Sequence, residues 1–126
     1  AEAIEIVTDT GLPALDSYRR IRELLESGLR PDAFVAFSDI VATGISMALA
    51  DTGKRVPDDV QVVGYDGIDD GRYHSLTTVK QDVKNLAIQA TELIMAAIRD
   101  EPPRGFFLDV LLRSGQTTRV IAPVQN

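Results

Sequence analysis

The chain has no cysteine, no tryptophan and a single histidine, and these absences exclude several classes of chemistry. Without cysteine there are no disulfide bonds and no thiol catalysis, and His74 alone cannot form a histidine-rich metal site. No apolar run approaches the roughly 18 residues that cross a membrane. The N-terminal stretch AEAIEIVTDTG lacks the basic start and apolar core of a signal peptide. We therefore expect a cytoplasmic protein without metal, cofactor or membrane contact.

Positive charge is also scarce, since 13 Lys and Arg stand against 19 Asp and Glu, for a net charge of −6. Binding of nucleic acid through phosphates requires clustered basic residues. Here the basic groups are short, at Arg19-Arg20-Arg22 and Lys54-Arg55. The first of these is typical of a solvated helix face. We expect that this chain does not contact DNA by itself.

The 126 residues suit one domain in which short apolar strands alternate with helices. Apolar residues at helical spacing follow Pro13, and Gly28 is a plausible end of that helix, with Asp9 or Thr10 as possible caps. Two apolar runs, 33–37 and 60–65, are continuous rather than alternating, which indicates strands covered on both faces. The further predicted strands are 4–7, 76–81, 106–112 and 117–122, and the further helices are 40–52 and 83–99.

This order predicts an α/β fold with three layers, α/β/α, around a mainly parallel sheet. Ligands of such sheets bind beyond the carboxyl ends of the strands. The side chains that follow the predicted strands are rich in Ser, Asp and Gln, which suits a ligand with several hydroxyls. Leu12 could add an apolar wall to this set, whose polar members are Thr8, Asp9, Ser38, Asp39, Asp66 and Gln81.

Simpler roles remain open for these residues. Asp39 and Ser38 are both good helix caps, and Asp66 could be a turn former before Gly67. Three other residues are interpreted as solvated turn positions or as a packing or surface histidine: Asp69, Asp70 and His74.

Enzymatic patterns are weak in this sequence. It contains no obvious nucleophile–base pair, no Walker loop and no GxGxxG motif after a strand. An enzyme with Asp66 as acid or base stays an alternative, but binding is favoured over catalysis and we expect no enzyme.

The segments PDAFVAFSDIVATGISMALADTGKRVPDDVQVVGYDGI, LTTVKQDV and LLRSGQTT occur in this order and closely resemble the C-terminal part of lac repressor-like (LacI/GalR) transcription regulators. The resemblance covers nearly the whole chain. It implies a core like that of periplasmic sugar-binding proteins, in which two lobes enclose a small effector, a sugar or a nucleobase. It also implies a DNA-binding helix-turn-helix head that binds operator DNA and that this sequence lacks.

The resemblance assigns roles to individual positions. Asp66 matches the aspartate expected to bind effector hydroxyls or a ring nitrogen, and Gln81 matches a glutamine near a crossover between the lobes. Ser38 stands where Asn is more usual, and Asp39 matches an aspartate with a structural, capping role. Leu12 falls where an aromatic residue often stacks on the ligand.

The resemblance further implies that the first residue falls inside the second lobe and that residues 82–108 belong to the missing N-terminal lobe. Without that lobe, the apolar stripe of the helix at 83–99 would be exposed, which monomeric proteins avoid. We expect this helix to pack back on the lobe or to be buried by another copy.

Regulators of this family are expected to be homodimers. The matching interface positions are Thr43, Ser46 and Met47 on the predicted helix 40–52, together with Tyr73 in the loop after Asp66. A periplasmic sugar-binding protein of a transporter is the alternative, which Gly67 favours, whereas VPDDVQVVGYD with LTTVKQ favours the regulator.

Overall fold

The structure is a computed structural model that describes residue 5 and residues 11–68, 75–102 and 104–119. These residues form three helices and four strands. The helices are α1 (Pro13–Glu26), α2 (Asp39–Asp51) and α3 (Val83–Ile98), and the strands are β1 (Ala33–Val35), β2 (Gln61–Asp66), β3 (Thr77–Gln81) and β4 (Val110–Arg113). Their order along the chain is α1-β1-α2-β2-β3-α3-β4.

The four strands form one open sheet in the order β1-β2-β3-β4. The pairs β1–β2 and β2–β3 are parallel, and β4 pairs with β3 in the antiparallel direction. The α/β fold with a mainly parallel sheet is therefore confirmed. Because β1, β2 and β3 run in the same direction, their carboxyl ends meet at one edge of the sheet, where a ligand is expected.

Helix α1 begins and ends close to the predicted positions. Pro13 occupies its first turn, and at its end the N–H of Gly28 donates to Leu25 O and the N–H of Leu29 to Leu24 O. These two bonds satisfy carbonyls that the helix leaves unpaired. The residue at the N-cap is Leu12, which makes no side-chain cap, and the possible caps Asp9 and Thr10 lie outside the described residues.

Helix α2 forms the centre of the core. Leu49 is fully buried, as is Val62 of the neighbouring strand β2. Helix α1 packs closely across α2, because a side chain at Gly44 would lie 2.1 Å from Ala14 O and from Ser17 Oγ. The two helices and the sheet thus enclose a single cluster, whose other apolar members are Ile21, Leu25, Phe34, Ala36, Val41, Ala42, Ile45, Ala48, Val60 and Leu76.

Strand β1 is covered on one face only. Phe34 and Ala36 are buried toward the core, whereas Val35 is 84% exposed and Phe37 71% exposed. The expectation that this run is covered on both faces is therefore wrong for the chain by itself. Among the described residues, two of the three predicted layers are present: the sheet and the layer of α1 and α2.

Helix α3 begins at the predicted residue and ends one residue earlier than predicted, but few of its side chains are covered. Ala96 is its one buried residue, while Ile94 is 61% and Ile98 70% exposed. Among the described elements, α3 makes no extensive contact with the sheet or with the other helices. The expectation that α3 packs back on this lobe is wrong. The other expectation, burial by another copy, stays a prediction.

The remaining predicted strands differ in length or fall outside the described residues. The strand expected at 106–112 is the shorter β4, and residues 117–119 are not in a strand. Residues 120–122 lie outside the described part of the chain, as does the strand expected at 4–7 apart from Glu5, which is not in a strand.

Candidate functional site

Asp66 and Gln81 lie side by side at the carboxyl edge of the sheet. They are the last residues of the neighbouring strands β2 and β3, and Asp66 stands opposite Lys80 in the register. Gln81 Nε2 donates a hydrogen bond to Asp66 Oδ1 over 3.0 Å. This contact uses one acceptor position of the carboxylate, so a ligand hydroxyl can still donate to either of its two oxygens. The structure thus brings together two of the side chains predicted from the sequence.

Ser38 and Asp39 stand at the start of α2, and the structure separates their roles. Ser38 is the N-cap, since its Oγ accepts a hydrogen bond from the N–H of Val41 over 3.2 Å. The cap expected at Asp39 is therefore wrong, because the Asp39 carboxylate bonds outside its own helix. Its Oδ2 accepts from the N–H of Ile68 over 2.7 Å and its Oδ1 from Thr78 Oγ1.

The Asp39 carboxylate joins three elements from a fully buried position. It links the start of α2 to strand β3 through Thr78 and to the loop after β2 through Ile68. A side chain at Gly64 would lie 2.3 Å from Asp39 Oδ1, so β2 approaches the carboxylate closely. With charge-assisted hydrogen bonds on both of its oxygens, the buried carboxylate holds these three elements together.

The loop after Asp66 is held by residues that the sequence did not single out. The carbonyl of Ile68 accepts hydrogen bonds from Arg113 Nη1 and Nη2 at 3.4 and 3.3 Å. Thr78 and Arg113 lie on β3 and β4, far from Asp39 and Ile68 in the sequence. A buried acid at the start of a helix requires donors, but sequence spacing does not say which strand supplies them.

Leu12 lies at the first turn of α1 with its side chain 61% exposed. Its N–H donates to Asp16 Oδ2 over 3.2 Å, which fixes the beginning of the helix. The described contacts do not join Leu12 to Asp66 or Gln81. Its part in a binding site stays a prediction.

Thr43, Ser46 and Met47 of α2 line an open cavity of about 490 Å³, with Lys54, Val56, Ser75, Leu76 and Gln116 among its other walls. The hydroxyls of Thr43 and Ser46 donate to carbonyls of their own helix, whereas Met47 is 55% exposed. This face can therefore offer apolar contact to a partner. Seven other residues named in the sequence analysis lie outside the described residues: Thr8, Asp9, Thr10, Asp69, Asp70, Tyr73 and His74.

The described part of the chain contains no group of three or more His, Cys, Asp or Glu side chains placed to hold a metal ion. In the same residues, no helix combines the length and the apolar character that crossing a membrane requires. The site is thus a set of hydrogen-bonding groups at a sheet edge, and such groups are suited to binding.

Comparison with known proteins identifies the family. Residues 2–117 match the periplasmic binding protein-like domain. The chain belongs to this family. The ribose operon repressor of Halalkalibacterium halodurans is 38% identical over 103 residues, which are 80% of this chain and 31% of that protein. The chain therefore spans about a third of this curated relative.

Solved structures of LacI-type regulators have the same fold. One from Bifidobacterium animalis subsp. lactis superposes with a TM-score of 0.79 at 31% identity, over 90% of this chain and 42% of that one. The lac repressor dimer bound to operator and the anti-inducer ONPF gives a TM-score of 0.78 at 29% identity, over 85% and 38% of the two chains. The predicted resemblance to LacI/GalR regulators is thus confirmed. The alternative of a transporter's binding protein is not favoured by these relatives, which are transcription regulators.

Proposed function

We propose that this periplasmic binding protein-like domain is the effector-sensing part of a cytoplasmic LacI-type transcriptional regulator and has no enzymatic activity. Its effector is a small polyhydroxylated molecule, a sugar, which binds in the cleft between this lobe and a second one. The observation that carries the proposal is the pair Asp66–Gln81 at the carboxyl edge of two parallel strands. An ionised carboxylate beside an amide can bind two neighbouring hydroxyls of a sugar ring.

Ser38 and Leu12 complete this half of the proposed site. Ser38 Oγ accepts from Val41 N–H but retains its own proton and a further lone pair for a ligand. Leu12, with its exposed side chain, supplies an apolar wall. The other half of the site belongs to the second lobe, so this chain alone binds the effector weakly or not at all.

Residues 82–108 belong to that second lobe in this proposal. The support is the exposure of the apolar side chains of α3, since monomeric proteins seldom expose a continuous apolar stripe. Effector binding closes the two lobes and shifts the population of a homodimer between two states. A helix-turn-helix head outside this chain then gains or loses affinity for its operator.

The homodimer is proposed to form through the face of α2 that carries Thr43, Ser46 and Met47. Thr43, Ser46 and Met47 line the open cavity there, and Met47 provides an exposed apolar side chain at its centre. Tyr73 is proposed as a further contact from the loop after Asp66. Among the relatives of this chain, the ribose operon repressor supports a sugar effector, and the operator-bound lac repressor dimer supports the homodimer.

Thermal melting of the full-length protein with a panel of sugars and nucleobases tests the proposal. A ligand that binds the native state raises the melting temperature by mass action. We expect a sugar to raise it in the parent protein and not in Asp66→Ala. The matched control is Asp58→Ala, which removes an exposed carboxylate from the loop before β2 and should keep the full shift. An equal shift in all three proteins would remove Asp66 from the site.

A further inference from the structure

We propose that Asp39, Thr78 and Arg113 are positioning residues that hold the backbone N–H and carbonyl of Ile68 and thereby fix the backbone of Asp66. The proposal rests on the proposed function of Asp66 as the carboxylate that binds the effector. None of the three residues has to touch the ligand. Their role is to set the direction of the Asp66 side chain before the ligand arrives.

The first step is the conformation of Asp66 itself. Its φ angle is 108°, in the left-handed region that residues with a side chain rarely adopt. Such a conformation is strained, and it persists only where the surrounding structure determines it. Since Asp66 ends a strand and is followed by a glycine, a relaxed backbone would be available if nothing held the next residues.

The second step is the anchor two residues further on. The N–H of Ile68 donates to Asp39 Oδ2 over 2.7 Å, and its carbonyl accepts from both terminal nitrogens of Arg113 at 3.4 and 3.3 Å. Gly67, which stands between Asp66 and Ile68 in the chain, lies so close to β3 that a side chain there would come within 2.5 Å of Lys80 Cβ. The chain after Asp66 is therefore held on both sides of the Ile68 residue and pressed against β3.

The third step is the rigidity of the anchor. Asp39 and Thr78 are fully buried, and Thr78 Oγ1 donates to the Asp39 oxygen that does not bind Ile68. The carboxylate thus has a partner on each oxygen and lies in contact with the backbone of β2 at Gly64. Removal of the Thr78 hydroxyl should free Asp39 to turn and loosen its bond to Ile68.

The geometry therefore favours a binding site that is preorganised before the ligand arrives. A side chain that already has its bound orientation loses less conformational freedom on binding, and this raises affinity. Gln81 acts on the carboxylate of Asp66 at the sheet edge, whereas the Asp39–Thr78–Arg113 group acts on its backbone through Ile68.

The test compares Asp66→Gly with Asp66→Ala in the full-length protein without any ligand. Both variants remove the carboxylate and its bond to Gln81, so they differ mainly in their tolerance of a positive φ. We expect the glycine variant to melt about 2–4 °C above the alanine variant in the otherwise unchanged protein. This temperature gap measures how firmly the backbone at 66 is held.

The same gap is then measured in a Thr78→Val background. We expect it to fall to less than half, because an unanchored Ile68 lets the alanine variant relax. Thr78→Ser, which keeps the hydroxyl, should restore the gap. Thr52→Val is the matched control, since Thr52 bonds only to carbonyls at the opposite end of α2. If Thr78→Val does not fold, Arg113→Leu removes the donors to the Ile68 carbonyl and should have the same effect.

Two results would overturn the proposal: no gap at all in the unchanged protein, or a gap of equal size in the Thr78→Val and Thr52→Val backgrounds. A purely structural role of Thr78 would lower both melting temperatures and leave their difference intact. Because this readout involves no ligand, it is independent of the proposed function. Failure of that function appears elsewhere, as an equal ligand-induced shift in the parent and in Asp66→Ala.

Discussion

Helices α2 and α3 are both apolar, yet the chain covers one and leaves the other exposed. Seven residues of α2 are buried, Leu49 among them, against one residue, Ala96, of α3. Helix α2 packs against both α1 and the sheet, whereas α3 extends from the end of β3 without an extensive contact to other described elements. The comparison teaches that an apolar stripe indicates a need for burial but not which surface provides it.

The largest expected effect comes from truncation of one buried and one exposed apolar side chain. Leu49→Ala should lower the free energy of unfolding by about 2–5 kcal/mol, because it leaves a cavity in a fully buried site. Ile94→Ala, at a position that is mostly exposed in this chain, should change it by about 0.5 kcal/mol or less. Urea unfolding of the chain measures both.

The comparison of these two variants can also be made in the full-length protein. If residues 82–108 belong to a second lobe, Ile94→Ala should become distinctly more destabilising there than in the chain alone. A cost that is equally small in both proteins would show that α3 stays uncovered in the longer protein, and would contradict its assignment to that lobe.

Removal of the buried carboxylate should have the next largest effect. Asp39→Ala removes the hydrogen-bond acceptor of the Ile68 N–H and of the Thr78 hydroxyl, beside the core that α1, α2 and the sheet enclose. We expect a loss of about 3 kcal/mol in the free energy of unfolding, since each buried donor loses a charge-assisted bond. Asp82→Ala, which removes an exposed carboxylate at the start of α3, is the control and should cost less than half as much. Similar costs for the two variants would contradict the role assigned to Asp39.

The sequence predicted the helices α1 and α2, the strands β1 to β3, and the strand-end residues Asp66 and Gln81. Hydrophobic periodicity and helix-end signals are local, and Ser38 and Gly28 act where those signals place them. The partners of Asp39 could not be predicted, because Thr78 is 39 residues away and the contact depends on how β3 lies against α2. The exposure of Val35 was missed for a related reason: an apolar run indicates burial but not whether this chain supplies the cover.

The N-caps of α2 and α3 offer a smaller test of the difference in burial between these two helices. Ser38 caps α2 through Val41 N–H, and Asp82 caps α3 through Asn85 N–H over 3.0 Å. Ser38→Ala should lower the free energy of unfolding by about 1 kcal/mol, because α2 unfolds only with the whole core. Asp82→Ala should instead fray the start of α3 locally, with little change in global unfolding.

Hydrogen exchange and urea unfolding separate these two outcomes. Faster amide exchange confined to the first turn of α3 in Asp82→Ala, together with an unchanged urea midpoint, would agree with an uncovered α3. A drop in the midpoint as large as that of Ser38→Ala would indicate instead that α3 unfolds together with the core.

The smallest expected effect concerns the exposed ion pair in the turn before β2. Hydrogen bonds from the Arg55 side chain and its backbone N–H hold the pKa of the Asp59 carboxyl below its ordinary range. A carboxyl whose pKa is lower in the folded state contributes stability above its unfolded pKa and loses it as the pH falls through the folded value. The loss should therefore occur below about pH 4, and solvent keeps it small.

An NMR titration of the Asp59 carboxyl carbon measures this pKa directly. Arg55→Gln should return it toward the ordinary range, because the charged partner is lost. Arg99→Gln is the matched control: it breaks the ion pair with Glu101 beyond the end of α3 and should leave the titration of Asp59 unchanged. A midpoint for Asp59 that is the same with and without Arg55 would show that the turn before β2 is not held by this ion pair. The start of β2 would then be held by buried contacts alone, since Val60, which follows Asp59, is part of the core.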